Sequence, residues 1–340
     1  MVGRKIRVLI VDDSLVFREM MARNLSSDQE IEVVAKAVDA FDARDKILEV
    51  HPDVMTCDVE MPKMNGIEFI RRLLPQYPLP VIVVSTISEA VLDALRAGAL
   101  DFVTKPNVKS PLDLQAFYKE LIVKVKMAAR ANVKVQSASQ PISSTINNKI
   151  AINRVIAIGA STGGTEALYN FLKSLPPTMP GMVIVQHIPP VFSNMFAERL
   201  NAQLPLHIKE AKNGDYLEQG KVCIAPGDQH MIIKKVGKRY KIEVFEGDKV
   251  NGHCPSVDVL FESVAKEAEE NGIGIILTGM GYDGAKGLLA MRRKGARTIG
   301  QDEQSSVIYG MPRAAFELGA VEKQTSLLAM PQVLLSIVSR

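Results

Sequence analysis

The chain has 340 residues, 47% hydrophobic and 23% charged, with a formal net charge of +3. That composition belongs to packed globular domains and excludes a mainly disordered chain. Charge is spread evenly, with 20 basic and 19 acidic residues in 1–150 and 21 and 19 in 151–340, so neither half has the basic excess of a nucleic-acid-binding domain.

The first residues, Met1-Val2-Gly3-Arg4-Lys5-Ile6, lead into a short apolar run that stops at Asp12-Asp13. A signal peptide needs a longer apolar core and a small-residue cleavage site. No run approaches the ~18 apolar residues of a membrane span. A cytoplasmic protein without membrane insertion is expected. Cys57, Cys223 and Cys254 are too few and too scattered for a disulfide framework or a zinc knuckle, and they read as packing thiols.

Along residues 5–125, apolar runs at Ile6–Val11, Ile31–Ala37, Val54–Cys57, Pro80–Val84 and Phe102–Val103 alternate with stretches of helical periodicity such as Leu15–Leu25 and Ile67–Leu74. Strands alternating with helices predict a parallel sheet covered on both faces. Residues 127–150 contain no acidic side chain and are rich in Ser, Asn and Gln, a linker composition. Domains are therefore expected at 1–126 and 151–340, joined by a linker at 127–150. The second half alternates again, with strands at Val155–Ile158, Met182–Gln186, Val222–Ala225, Ile273–Leu277 and Thr298–Ile299. Helices are expected over Thr165–Leu175, Phe192–Leu204, Val257–Asn271 and Ala285–Lys294, and a hairpin over Met231–Phe245 turning at Gly237-Lys238. The fold class is α/β: two doubly wound, mainly parallel domains.

In such sheets, ligands sit beyond the carboxyl ends of the strands, near the point where strand order reverses. In the first domain those ends carry Asp12-Asp13, Asp58, Ser85-Thr86 and Thr104-Lys105-Pro106. Any one Asp there reads equally well as a helix cap, as Asp13-Ser14 does before Leu15. The set does not, because caps do not require acids, a hydroxyl and a lysine at successive strand ends. Clustered carboxylates repel one another unless a cation sits among them, and an oxygen-only cluster favours Mg²⁺. Lys105 and a hydroxyl on the same rim suit the oxygens of a phosphoryl group.

Val11-Asp12-Asp13-Ser14, Asp58-Val59-Glu60-Met61-Pro62-Lys63-Met64-Asn65-Gly66 and Thr104-Lys105-Pro106 resemble the markers of response-regulator receiver domains. The resemblance implies a flavodoxin-like fold over 5–125. It makes Asp58 the phosphoacceptor, Ser85 the switch hydroxyl and Lys105 the phosphate contact. Asp12, Asp13 and Asp58, with the Glu60 carbonyl, would hold Mg²⁺. The segment between Ser85 and Gly98 is short for the family, which leaves the start of the fourth helix open.

In the second half, Gly159-Ala160-Ser161-Thr162-Gly163 sits where a strand turns into a helix and matches the nucleophile-elbow pattern. Backbone amides at a helix N-terminus suit an oxyanion; a plain Gly/Ser cap or a phosphate-binding loop would look the same. A serine nucleophile needs a base held by a third group. His187 follows the strand Met182–Gln186 directly, and Asp283 lies at the turn after Ile273–Leu277. His207, His230 and His253 lie near polar turns and read as structural. The order Ser161, His187, Asp283 departs from an α/β-hydrolase, whose histidine comes last.

That order, with Gly-Ala-Ser-Thr-Gly-Gly, Gln186-His187-Ile188, Pro255-Ser256-Val257-Asp258 and Thr278-Gly279-Met280-Gly281-Tyr282-Asp283-Gly284-Ala285, resembles the chemotaxis methylesterase family. The resemblance implies a Rossmann-like serine esterase controlled by receiver phosphorylation. Its substrates would be glutamate γ-methyl esters on cytoplasmic helices of chemoreceptors, with deamidation of receptor glutamines as a second activity and the histidine kinase CheA as phosphodonor. Backbone amides of Met280 and Thr162 are the candidate oxyanion donors, and the esterase domain needs no cofactor. In the family, the unphosphorylated receiver obstructs access to the serine. The rival readings of the second half are a transcriptional output module, for which no helix-turn-helix or basic face is visible, and a phosphate- or nucleotide-binding module. The latter lacks a Walker lysine after Gly163-Gly164 and leaves His187 and Asp283 unexplained.

Overall fold

A computed structural model describes residues 4–86, 89–107, 110–131 and 153–339. The chain divides into two units, Met1–Ser137 and Ala138–Arg340. In the first, β1 (Ile6–Val11), α1 (Leu15–Leu25), β2 (Ile31–Ala37), α2 (Ala40–Val50), β3 (Val54–Cys57), α3 (Gly66–Leu73), β4 (Val81–Ser85), α4 (Glu89–Arg96), β5 (Asp101–Thr104) and α5 (Pro111–Ala128) alternate. The sheet is parallel, in the order β2-β1-β3-β4-β5. This is the flavodoxin-like winding, whose order reverses between β1 and β3. β3 and β4 are buried at every residue, as a sheet covered on both faces requires. Side-chain caps start the helices: Ser14 accepts from the Phe17 amide, Asp39 from Phe41 and Asp42, and Asn65 from Glu68.

Several details depart from the sequence reading, among them β5, which spans Asp101–Thr104 where Phe102–Val103 was expected. Ser85 is the last residue of β4 rather than the first beyond it. The helix expected from Ile67 begins one residue earlier, at Gly66. α5 runs through Ala128, past the domain limit expected at 126. The rest of the expected linker, from residue 132 on, lies outside the described residues.

The second unit contains β6 (Val155–Ala160), α6 (Gly164–Lys173), β7 (Met182–Gln186), α7 (Phe192–Gln203), β8 (His207–Glu210), β9 (Lys221–Ile224), β10 (His230–Val236), β11 (Arg239–Phe245) and α8 (Val257–Glu267). It continues with β12 (Gly272–Ile276), α9 (Ala285–Arg293), β13 (Arg297–Gln301), α10 (Met311–Glu317), β14 (Lys323–Thr325) and α11 (Met330–Val338). Seven strands form one parallel sheet in the order β14-β13-β12-β6-β7-β9-β8. β6, first in the chain, lies at the centre, and the winding reverses between it and β12. That is the Rossmann-like topology, with the ligand crevice at the carboxyl ends of β6 and its neighbours.

β10 and β11 pair from His230↔Phe245 to Val236↔Arg239, so Gly237-Lys238 is the two-residue turn. Met231, Ile233 and Ile242 of this hairpin share a buried core with Val257, Leu260, Phe261 and Val264 of α8. The hairpin and the sheet hold α8 between them and so fix where its N-terminus points. The periodicity read through 257–271 belongs to two elements: α8 stops at Glu267, and a short 3-10 turn, Glu269–Asn271, follows.

Candidate active site and phosphorylation pocket

In the first unit, Asp12 and Asp58 leave the adjacent ends of β1 and β3, where the strand order reverses. Both carboxylates are buried, and Lys105 Nζ reaches them at 2.9 Å (Asp12 Oδ2) and 2.6 Å (Asp58 Oδ2). Asp12 Oδ1 accepts from the Ser14 amide, and Asp58 Oδ1 from the Glu60 amide at 3.2 Å. One lysine against two buried carboxylates and the exposed Asp13 leaves net negative charge. Burial pushes the Asp12 carboxyl above the ordinary range against the pull of Lys105, and the nearby Asp58 adds to the rise. Asp12, Asp13 and Asp58 can each offer one oxygen within 4.8 Å of the others. An all-oxygen set with this charge fits a hard divalent cation. Ser85 Oγ, buried at the end of β4, has no hydrogen-bond partner among the described residues. The structure thus gathers Asp12, Asp13, Asp58, Glu60, Ser85 and Lys105 on one rim.

In the second unit, Ala160 pairs with Gln186 in the β6–β7 register. The next residues, Ser161 and His187, therefore leave the sheet side by side, about one strand spacing (~4.8 Å) apart. The Gln186 Nε2 donates to both carbonyls, at 2.9 Å for Ser161 and 3.2 Å for His187. The Ser161 amide donates to Thr278 O at 3.0 Å, and its carbonyl accepts from the Gly164 amide at 2.7 Å as the chain turns into α6. Thr278 Oγ1 donates to Thr162 O and accepts from the Ile308 amide, so the loops after β6, β12 and β13 are laced together.

Gly279 makes this approach possible: a Cβ there would lie 2.8 Å from Ser161 Cβ and 2.4 Å from Met311 Sδ. The next amide along, that of Met280, has no acceptor among the described residues, and its side chain is exposed. Thr162, the other expected oxyanion residue, is buried in the turn itself.

His187 Nε2 lies 2.9 Å from Asp283 Oδ2, and both side chains are buried. Since a carboxylate only accepts, Nε2 carries a proton, and in the neutral ring Nδ1 holds the lone pair. Nδ1 is buried without a partner among the described residues. The ring nitrogens are thus used in the opposite sense to chymotrypsin, where Nδ1 faces the aspartate.

Asp283 is surrounded by donors. Oδ1 accepts from Ser256 Oγ (2.7 Å), Asn251 Nδ2 (2.9 Å) and the Asp258 amide (3.3 Å), and Oδ2 accepts from the Val257 amide (2.7 Å) as well as from His187. Two of these donors are free amides of the α8 N-terminus, where a negative charge is favoured. Burial alone would raise the Asp283 carboxyl, but the hydrogen bonds from His187, Asn251 and Ser256 outweigh it and hold the group far below the usual carboxylate range. Gly284, at φ +89°, turns the chain into α9 directly against Val257, where a Cβ would meet Val257 Cγ1 at 2.5 Å. That contact seats Asp283 over α8.

The sequence reading passed over two residues here. Asn251 bridges Asp283 and Asp258, at 2.9 and 2.8 Å. His253, expected to be structural, stacks face to face on His187, with ring centroids 3.7 Å apart and planes 7° from parallel. Their available signal was Asn251-Gly252, a strong two-residue turn pair. Both have positive φ, 53° and 85°, and Val250 and His253 close the turn with reciprocal backbone bonds of 3.0 Å. His230, in contrast, is structural as expected: its Nδ1 accepts from the Ser256 amide and its Nε2 donates to Asp248 O.

Burial, followed by the nearby His187, lowers His253 from 6.5 to about 4. The unfolded chain therefore binds a proton between those values that the folded chain refuses. Stability of the second unit is expected to be intact above about pH 6.5 and to fall as pH drops toward 4. Thermal melts across that window check the slope, which His253→Phe should flatten.

A phosphoryl-type pocket in one sheet and a His–Asp pair beside a strand-end serine in another, joined in one chain, describe a response regulator whose output is enzymatic. The comparisons with known proteins agree. Residues 8–116 match the family model for the response regulator receiver domain, and residues 156–334 match that for the CheB methylesterase. The protein-glutamate methylesterase/protein-glutamine glutaminase 2 of Syntrophomonas wolfei is 55% identical over 337 residues, covering 99% of both chains. A protein-glutamate methylesterase/protein-glutamine glutaminase 1 of Caulobacter vibrioides is 47% identical, covering 98% of both. The crystal structure of the Thermotoga maritima CheB methylesterase catalytic domain superposes with a TM-score of 0.53 at 34% identity, over 54% of this chain and 98% of that one. The chain belongs to the CheB methylesterase family. No helix among the described residues is long and apolar enough to cross a membrane.

Proposed function

We propose that this chain is a phosphorylation-activated protein-glutamate methylesterase that hydrolyses glutamate γ-methyl esters on cytoplasmic helices of chemoreceptors and deamidates receptor glutamines by the same acyl chemistry. The observation that carries the reading is the 2.9 Å His187–Asp283 bond, which leaves a buried Nδ1, without a partner among the described residues, on the residue that leaves the sheet beside Ser161. Ser161 Oγ attacks the ester carbonyl while Nδ1 of His187 takes its proton. The tetrahedral oxyanion is met by backbone amides, Met280 foremost and Thr162 second. His187 then returns the proton to the departing methoxide, and methanol leaves. Water attacks the glutamyl–serine ester with the same base, which frees glutamate and Ser161. Throughout, Asp283 holds the Nε2–H tautomer and offsets the charge of imidazolium.

Phosphorylation is placed on Asp58, with CheA as donor. The carboxylates of Asp12, Asp13 and Asp58, with the Glu60 carbonyl, would hold Mg²⁺, which offsets the charge of the phosphoryl oxygens. Ser85, whose hydroxyl is buried without a partner among the described residues, and Lys105 are suited to grip those oxygens. The output units of transcriptional regulators are a poorer match, because the second unit is a sheet enzyme fold whose serine, histidine and acid share one rim.

The test is methanol release from methylated receptor membranes, with Mg²⁺ and with or without a small phosphodonor. No methanol from either mixture would sink the reading. Asp58→Asn is expected to keep the basal rate and lose all stimulation. A fragment beginning near Ile150 is expected to work without Mg²⁺ or phosphodonor, and faster than the unphosphorylated full chain. A tenfold activation needs only about 1.4 kcal/mol of bias between inactive and active states. A well-folded but inactive fragment would mean that the receiver completes the active site.

A further inference from the structure

The turn that carries His253 has no place in the three-residue mechanism, yet it touches both ends of the His–Asp pair. Its Asn251 amide grips Asp283 Oδ1, while its His253 ring lies flat on His187. The turn is stiff. Asn251 and Gly252 occupy the left-handed conformations of a tight hairpin turn, and Val250 and His253 exchange two backbone hydrogen bonds. We propose that His253 is a positioning residue for the hydrolysis: its stacked ring holds the His187 imidazole in the one plane where Nε2 meets Asp283 and Nδ1 is left open for the Ser161 proton, and keeps water off that face. The inference rests on the methylesterase reading and deepens it.

The need for such a device follows from the hydrogen bonds. Among the described residues, the His187 ring has a single partner, Asp283, at Nε2. One bond at one nitrogen leaves the ring free to swing about it, and a swing of a few tenths of an ångström at Nδ1 is costly, because proton abstraction demands hydrogen-bond geometry. A parallel ring at 3.7 Å removes that freedom without competing for either nitrogen.

The charged and titratable groups around His253 are His187 across the stack, Asp283 beyond it and Lys249 on its own turn. Burial, followed by the nearby His187, holds His253 well below the ordinary imidazole range. His253 therefore stays neutral at neutral pH and stacks on His187 as an uncharged ring.

The test uses the full-length chain with Mg²⁺ and a small phosphodonor. Two quantities are followed from pH 5 to 9: the rate of Ser161 labelling by a fluorophosphonate, and kcat and KM for methanol release. Ser161→Ala is the blank. His253→Leu fills the volume but offers no flat face, and His253→Phe keeps the flat face but cannot titrate. His253→Leu is expected to cut kcat and labelling roughly 10- to 100-fold with KM within about twofold of wild type. Its acid limb should move to higher pH, as water reaches and stabilises the imidazolium. His253→Phe should restore both rates to within about threefold of wild type.

Equal rates for wild type and His253→Leu would overturn the proposal. So would a His253→Phe enzyme as slow as His253→Leu, since the imidazole itself would then be needed. A wild-type chain that is not labelled at Ser161 is a separate failure, that of the esterase reading. Thermal melts of both variants report folding, and if His253→Leu melts early the rates of His253→Phe against wild type still decide, a loss beyond about threefold overturning the proposal.

Discussion

Ser161→Ala is expected to lower kcat for methanol release by ~10⁴-fold or more while leaving the fold and Asp58 phosphorylation intact. The large effect has a chemical origin. Without the hydroxyl there is no acyl-enzyme, and what survives is the contribution of oxyanion donors and substrate binding to direct attack by water. The small effect on folding has a structural origin. The bonds that hold residue 161 in its turn are made by its backbone: its amide to Thr278 O, and its carbonyl to the Gly164 amide and to Gln186 Nε2. The Oγ makes none of them, so its removal strands no partner. Methanol release within about tenfold of wild type, from a variant with an unchanged melting temperature, would mean that another group is the nucleophile.

Asp283→Asn is expected to cost about 10⁴ in kcat, as when an amide favours the wrong tautomer in a serine triad. Here it should also cost stability. Five donors converge on the carboxylate, three on Oδ1 and two on Oδ2. An asparagine has one acceptor oxygen, so whichever way it turns, its NH₂ faces at least two buried donors. Each stranded donor costs roughly 1–3 kcal/mol, which lowers the melting temperature measurably at neutral pH.

The sign of the pH effect follows from the depressed carboxyl. The Asp283 contribution is fully present above the unfolded value of 3.8 and is lost as pH falls through the folded value. The stability gap between wild type and Asp283→Asn should therefore be widest at neutral pH and narrow below about pH 4. A gap that widened on acidification would contradict the assignment of Asp283 as an anion.

Much of the first unit was legible because its signals are local. Apolar runs such as Ile6–Val11 and Val54–Cys57 match their strands to the residue, since a parallel strand buried on both faces must be apolar almost throughout. The strand-end side chains followed from topology alone: once strands and helices alternate, Asp12, Asp58, Ser85 and Lys105 must share a rim. Ser161, His187 and Asp283 were legible for the same reason, Ser161 and His187 as the first residues beyond β6 and β7 and Asp283 in the glycine-rich turn between β12 and α9.

Elements held mainly by their neighbours were less visible. β8, at the sheet edge, buries only Ile208 fully and is paired to β9 alone, which separates it from β7. Its short, polar run has the texture of a loop. The end of α8 at Glu267 was hidden because periodicity continues into the 3-10 turn beyond it.

The sequence by itself determined two α/β units, the carboxylate pocket and the serine, histidine and acid of the candidate site, because strand ends and helix starts are written in contiguous residues. Only the tertiary structure decided which imidazole nitrogen faces Asp283, that the acid sits on the N-terminus of α8, and that Asn251 and His253 close over the pair. Those facts depend on where a hairpin-braced helix and a two-residue turn come to rest against strands tens of residues away. A turn signal such as Asn251-Gly252 tells the chain to reverse, but what its flanking side chains meet is set by packing across the whole domain.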